Sequence, residues 1–190
     1  MNARVREQAA APDAPAIRFT LDGREVQARS GELLIEVADR EGVEIPRLCY
    51  KPGLAEVGNC RACVVEIAGE RVLAPACCRT ATSGMTVATG SERARKSQRL
   101  VLELLQADMP AQAYTRNNEL ERWAAKLDVG LPRFAPRVQP PPDLSHPAMA
   151  VHLDACIQCT RCIRACRDEQ VNDVIGLAAR GSDVRIMFDM

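Results

Sequence analysis

The chain has 190 residues, with 25 Lys plus Arg against 25 Asp plus Glu and a formal net charge of zero. That balance points to neither nucleic acid nor an acidic surface as partner, and the aromatic residues Phe19, Tyr50, Tyr114, Trp123, Phe134 and Phe188 are too few for a base-stacking platform. The apolar fraction suits one or two small globular domains, and no apolar run approaches the roughly 18–20 residues of a membrane-spanning helix.

In chain order, residues 1–15 are rich in Ala and Pro and are expected to form a disordered lead-in. The stretch MNARVREQAAAPDAPA is charged and has no apolar centre, so it does not read as a secretory signal. Ile17 to Leu21 alternates like a strand, Asp22-Gly23 turns, and Glu25 to Ala28 pairs back. Ser30 is expected to cap a helix over Glu32–Arg40, with Leu33, Leu34 and Val37 on one face and Gly42 ending it. Strands follow at Val64–Ile67, Arg71–Ala74 and Met85–Ala88. The spacing then predicts a helix over Ser91–Ala107, with Leu100, Val101, Leu104 and Leu105 at helical intervals, and a second over Asn118–Leu127. The segment from Gly130 to Pro147 is too rich in proline for a helix or a central strand and reads as an extended linker. A strand before Cys156, a helical turn through Cys162 to Arg167 and a strand at Arg185–Phe188 complete the order.

Nine cysteines carry the chemistry. A secreted disulfide framework would sit in a shorter chain with an even count, so a reducing, cytoplasmic setting is expected, where cysteines bind metal or do redox work. The first set is Cys49, ten residues, Cys60, two residues, Cys63, thirteen residues, Cys77, with Cys78 adjacent. A [2Fe–2S] cluster needs thiolates on both irons, held by loops that also offer N–H groups to the sulfurs. Gly58 permits the tight backbone such a loop requires. The alternative for this set is a zinc site, but zinc favours two compact C-x2-4-C pairs, and here only Cys60 and Cys63 form one.

The second set, Cys156, Cys159, Cys162 and Cys166, has the spacing C-x2-C-x2-C-x3-C. Two-residue gaps let three thiolates converge on one [4Fe–4S] cluster, while a fourth at this spacing serves another cluster in two-cluster ferredoxins. No second tetrad follows before Met190. Three expectations stand side by side: the chain is a truncated or separately encoded piece; it is a complete carrier that borrows a ligand; or Cys166 bends back to complete one cluster. Arg93, Arg95, Lys96 and Arg99 are read as a solvated helix face, as are Arg161, Arg164 and Arg167, although a cation there would raise the potential of a cluster. His146 and His152 read as surface or packing residues. No G-x-G-x-x-G after a strand and no G-x4-G-K-[ST] is present, so nucleotide binding by this chain is not expected.

The segments IPRLC ending at Cys49, GNCRACVVEI around Cys60 and Cys63, APAC ending at Cys77 and GMTV from Gly84 resemble the N-terminal region of a defined family. It comprises the large electron-transfer subunit of respiratory complex I, the diaphorase subunit of NAD-linked hydrogenases and the α subunit of NAD-dependent formate dehydrogenases. The resemblance covers nearly all of the chain after residue 16 and selects Cys77, in its Pro-Ala-Cys context, over Cys78. It implies an α+β protein in five parts: the lead-in 1–15, a β-grasp [2Fe–2S] ferredoxin-like domain over 16–90, a short helical segment over 91–129, a linker over 130–150 and half of a bacterial-type two-cluster ferredoxin module over 151–190. Cys49, Cys60, Cys63 and Cys77 would hold the [2Fe–2S] cluster; Cys156, Cys159 and Cys162 a [4Fe–4S] cluster; Cys166 the next one or the fourth position. In complex I and the hydrogenases the middle segment carries a His and three Cys for a further cluster. Here residues 104–120 contain neither, which favours the formate dehydrogenase branch. The partners implied are a flavoprotein (NAD/FMN) subunit and a molybdopterin-type catalytic domain or subunit, with no catalytic residue in this chain. A freestanding carrier of a diaphorase or hydrogenase is the alternative.

Overall fold

The computed structural model describes residues 16–109, 118–139, 141–153 and 156–188. The expected lead-in and positions 110–117 of the ligand-free middle segment lie outside the described residues. The chain divides into two compact units: Met1–Tyr50 with Glu56–Val101, and Lys51–Ala55 with Leu102–Met190.

The first unit is built on a five-stranded sheet in which strands Arg24–Ala28, Ile17–Leu21, Thr86–Ala88, Val64–Ile67 and Ala74–Pro75 lie side by side in that order. Strand β1 (Ile17–Leu21) pairs antiparallel with β2 (Arg24–Ala28), with Phe19 opposite Val26. Asp22 (φ 47°) and Gly23 (φ 81°) make the tight connection, both left-handed as a twisted two-residue hairpin demands. Period-two alternation sends Phe19, Leu21, Val26 and Ala28 inward. Helix α1 (Leu34–Arg40) covers that face with Leu34, Ile35, Val37 and Ala38, all fully buried. Strand β3 (Val64–Ile67) pairs antiparallel with β4 (Ala74–Pro75) and with β5 (Thr86–Ala88), and β5 runs parallel to β1. This mixed sheet with its helix is consistent with a [2Fe–2S] ferredoxin-like domain. Each buried Leu, Ile, Val or Phe contributes about 1.5–3 kcal/mol.

Three local readings change. The strand expected over Arg71–Ala74 reduces to Ala74–Pro75, because only Val64 and Val65 of β3 find partners on that edge, while Glu66 and Ile67 pair with β5 on the other. Val72 is left exposed, and proline marks β4 as an edge. Helix α1 starts at Leu34 and has no side-chain cap at its N-terminal boundary residue, Leu33. Its first N–H groups, of Leu34 and Ile35, go to the carbonyls of Arg79 (2.8 Å) and Ala76 (3.1 Å), so a distant loop replaces the cap expected from Ser30. Helix α2 (Glu92–Ala107) is capped by Ser91, whose Oγ accepts from Ala94 N–H at 3.1 Å, but its buried stripe differs from the one expected. Ala94, Gln98 and Leu102 are buried, while Leu100 and Leu104 are exposed. Gln98 is tolerated inside because its amide donates to the carbonyls of Val64 (2.9 Å) and Thr89 (3.2 Å).

The second unit is assembled from short pieces. Helix α3 (Glu119–Lys126) opens with a reciprocal cap, Asn118 accepting from Glu121 N–H at 3.0 Å and Glu121 accepting from Asn118 N–H at 3.2 Å. Within the expected linker, β6 (Asp143–His146) and β7 (Met149–Val151) pair antiparallel, beginning only after Pro142 and turning at Pro147. Proline thus keeps the preceding stretch unpaired but does not prevent pairing beyond it. Glu103 receives Arg133 Nε at 2.7 Å and Nη2 at 2.8 Å, and this guanidinium holds its carboxyl down to about 2. Helix α4 (Arg161–Arg164) passes into a π-turn over Ala165–Glu169, followed by an antiparallel hairpin of β8 (Ile175–Ala178) and β9 (Arg185–Phe188). No described helix is long and apolar enough to cross a membrane.

Candidate iron–sulfur sites

Cys49 follows the loop after α1, Cys60 and Cys63 flank the turn into β3, and Cys77 follows β4. Ala76 N–H bonds the carbonyl of Cys63 (3.0 Å) while the Ala76 carbonyl receives Ile35, so helix, strand and Cys77 loop are fixed on one another. Cys49, Cys63 and Cys77 are buried at 1%, 1% and 0% exposure, and Cys60 is half-buried. Cys49 N–H donates to Cys60 Sγ at 3.4 Å. The thiol of Cys49 also meets those of Cys60 and Cys77, and Cys77 meets Cys63, so the four form a chain of sulfur contacts. Among the described residues, no three His, Cys, Asp or Glu side chains are disposed to hold a metal ion; the thiols meet in pairs instead.

Backbone N–H groups complete the cradle. Asn59 and Cys60 donate to the sulfur of Cys49, Ala62 to that of Cys60, and Cys77 to that of Cys63. Gly58 (φ 57°) and Arg61 (φ 58°) adopt the left-handed conformation that lets successive N–H groups turn to one side. The acidities follow from this packing. Hydrogen bonds from the Cys60 and Cys77 thiols pull Cys49 down to about 2, and the bond from Cys77 lowers Cys63. The same bonds push Cys60 and Cys77 up, with burial adding to both. The acidities of the four thiols are thus tied to one another. All four become thiolates together only beside a compensating positive centre, and the donor set fits a thiolate-bound dinuclear iron centre.

Cys78 is exposed, with its sulfur 3.6 Å from that of Cys77 and its acidity weakened chiefly by burial. A Cβ on Gly58 would stand 2.9 Å from Sγ of the exposed Cys78, which would have to shift, and the left-handed φ favours glycine there in any case. Tyr50 carries no sequence pattern that marks it for the site. It is 6% exposed, its phenol donates to Glu36 at 3.5 Å, and burial followed by the Glu36 charge pushes it up to about 12.

The second set lies on less closed ground. Cys156 and Cys159 are half-buried and Cys162 is exposed. Burial raises the Cys156 and Cys162 thiols; the charge of Cys159 raises both further, and Arg137 opposes this at Cys156. These three therefore share one electrostatic neighbourhood. Gln158 (φ 55°) and Thr160 (φ 60°) bracket Cys159 in left-handed turns, and the N–H groups of Gln158 and Ile163 donate to the sulfurs of Cys156 and Cys162. Cys166 is 8% exposed within the π-turn, and its carbonyl accepts from Asn172 N–H at 3.0 Å.

The arginines between these cysteines are not the uniform solvated row that their spacing suggests. Arg161 pairs with Glu119, and Arg167 with Asp168 at 3.0 Å. Arg164 is 2% exposed and donates to the carbonyls of Ala55 (2.5 Å) and Cys159 (3.4 Å). His152 is exposed.

A thiol tetrad, three of its members buried, wrapped by N–H groups on a mixed sheet defines an iron–sulfur protein of the electron-transfer class. Residues 14–92 match the family model described as 2Fe-2S iron-sulfur cluster binding domain. The chain is similar to one of the NADH-quinone oxidoreductase subunits of Rhizobium meliloti (strain 1021), at 30% identity over 90% of this chain and 21% of that protein. It is also 32% identical to the mitochondrial NADH-ubiquinone oxidoreductase 78 kDa subunit of Candida albicans, over 90% of this chain and 25% of the relative. A Bacillus subtilis (strain 168) protein named "Putative formate dehydrogenase YrhE" is 26% identical over 93% of this chain and 19% of its own length. Among solved structures, a chain of the NAD+-reducing [NiFe]-hydrogenase in the H2-reduced state matches with TM-score 0.79 at 28% identity, over 90% of this chain and 74% of that one. The chain thus spans a quarter or less of the curated relatives named here.

Proposed function

We propose that this chain relays single electrons within an NADH-linked oxidoreductase assembly, as part of the α subunit of an NAD-dependent formate dehydrogenase. The observation that carries the reading is the tetrad Cys49, Cys60, Cys63 and Cys77, three of them buried and Cys60 half-buried, in sulfur contact and supplied with N–H donors. A [2Fe–2S] cluster bound there would supply one-electron transfer. The chain's own part is to exclude water, hold the thiolates and set their surroundings. Cys156, Cys159 and Cys162 would hold a [4Fe–4S] cluster, with Cys166 serving a further cluster or the fourth position.

The formate dehydrogenase assignment is supported by the Bacillus subtilis relative and by the absence of Cys and His from residues 104–120. Its partners would be a flavoprotein that reduces NAD and a molybdopterin-type formate-oxidising centre, and its setting the cytoplasm. A second reading, a freestanding carrier subunit of a diaphorase or hydrogenase, is favoured by the similarity to the NAD+-reducing hydrogenase chain.

The test is iron, zinc and acid-labile sulfide analysis of anaerobically purified protein, with EPR of the reduced form. The expected result is a stably held [2Fe–2S] signal, with well under four irons per chain retained at the second site after exposure to air. Stoichiometric zinc without sulfide would overturn the iron–sulfur reading, and a stoichiometric air-stable [4Fe–4S] signal would assign Cys166 to the fourth position and not to a further cluster. An in-frame C-x2-C-x2-C-x3-C followed by a large domain, read in the gene beyond the codon for Met190, would decide for formate dehydrogenase over a freestanding carrier.

A further inference from the structure

The second cysteine set contains a charged residue that a surface loop has no need to bury. Arg164 lies two residues beyond Cys162 and two before Cys166, and it is among the largest fully buried side chains of the chain. Placing a guanidinium out of water is costly, and such groups are retained where their hydrogen bonds are fixed by the surrounding structure. Two carbonyls meet it here. One belongs to Ala55, which is counted in the same compact unit although it is 109 positions away in the chain; the other belongs to Cys159, the middle residue of the predicted cluster loop. Cys159 stands between two left-handed residues, Gln158 and Thr160. The second of these is the N-terminal boundary residue of α4, and the Thr160 carbonyl accepts from the N–H of Arg164 at 3.1 Å. One residue therefore closes the turn through its main chain and pins the neighbouring carbonyl through its side chain.

We propose that Arg164 is the positioning residue of the second cysteine site, fixing the Cys159 turn and placing a buried positive charge that favours the reduced state of a cluster held by Cys156, Cys159 and Cys162. The inference rests on the iron–sulfur reading above and adds to it which residue tunes the potential. A thiolate-bound cluster is anionic and gains a further negative charge on reduction, so a nearby cation stabilises the reduced form more than the oxidised one. Burial decides which arginine does this. The side chains of Arg161 and Arg167 are 22% and 52% exposed and stand in ion pairs, where water, salt and a carboxylate screen them. Arg164, at 2% exposure, is screened by neither water nor salt to that degree.

The test uses the full chain, anaerobically reconstituted with iron and sulfide. The reduced-to-oxidised ratio of the [4Fe–4S] cluster is taken at fixed applied potential from its EPR signal relative to that of the fully reduced sample, with the [2Fe–2S] cluster as internal reference. Arg164→Gln is expected to lower the ratio about tenfold, which is about 59 mV for one electron, and to leave the [2Fe–2S] ratio unchanged. Arg164→Lys keeps the charge and is expected to stay within about threefold of wild type. A Gln variant with the wild-type ratio, or a Lys variant that falls as far as Gln, overturns the assignment. So does failure of both variants to load while the wild type loads, since that marks a purely structural residue. If only the Lys variant loads, its ratio decides alone by the same threshold. Absence of any [4Fe–4S] signal in the wild type would instead strike the reading of the site itself.

Discussion

The two cysteine sites use the same ligand chemistry on opposite kinds of support. The first is set into a sheet-and-helix core, with three of its thiols at 1% exposure or less and its loops tied to α1 by main-chain bonds. The second sits on turns between short hairpins, with two half-buried thiols and one exposed. Apolar packing alone can hold the first site in shape, whereas the second depends on a few polar ties, of which Arg164 is the most buried. Ligand spacing thus specifies which cluster can bind, while burial of the supporting elements specifies how firmly the site is formed before it does.

Ligand replacement should separate the sites most sharply. Cys49→Ser is expected to abolish stable [2Fe–2S] binding, at least a hundredfold in retained cluster, because altering a group that merely orients a ligand already costs about 10–100-fold. Cys166→Ser is expected to leave the [2Fe–2S] EPR signal unchanged. Loss of the [2Fe–2S] signal in the second variant would break the comparison by making the sites interdependent.

A smaller effect tests the packing beneath them. Leu34→Ala in α1 should cost about 2–5 kcal/mol in urea unfolding of the first unit. Leu177→Ala in β8, where the side chain is 49% exposed, should cost no more than about 0.5 kcal/mol. Equal losses would show that the second unit carries a core comparable to the first.

Smaller again is the loop effect. Gly58→Ala introduces a side chain at φ 57° and within 2.9 Å of Cys78 Sγ, and should cost about 1–2 kcal/mol for the left-handed strain. Adding Cys78→Ala should remove the clash and recover less than half of that loss in the same unfolding measurement. Full recovery would mean that space, and not backbone conformation, is what selects glycine here.

Much of the first unit was legible before its structure. The Asp22-Gly23 hairpin, the helix ending at Gly42, strand Val64–Ile67 and the helix after Ser91 all follow from local patterns, because turn and helix preferences act over a few residues. Three features were not legible. The N–H groups at the start of α1 are satisfied by Arg79 and Ala76, partners some forty residues away, so no local signal announces them. The buried stripe of α2 passes through Gln98, a polar residue that periodicity counts as exposed until Val64 and Thr89 offer it carbonyls. Arg164 is misjudged for the same reason, since its burial depends on Ala55.

Cysteine spacing alone set the kind of chemistry, because thiolate number and gap length limit which metal centres can be wrapped by a short loop. Alternation and tight turns likewise marked the sheet-forming segments of the first unit. It took the folded chain to settle which thiols are sheltered together, that Cys77 meets Cys49 and Cys63 while Cys78 stays exposed, and which of three similar arginines is buried. Exposure and the pairing of polar groups are set by residues far apart in the chain, and a local pattern carries no record of them.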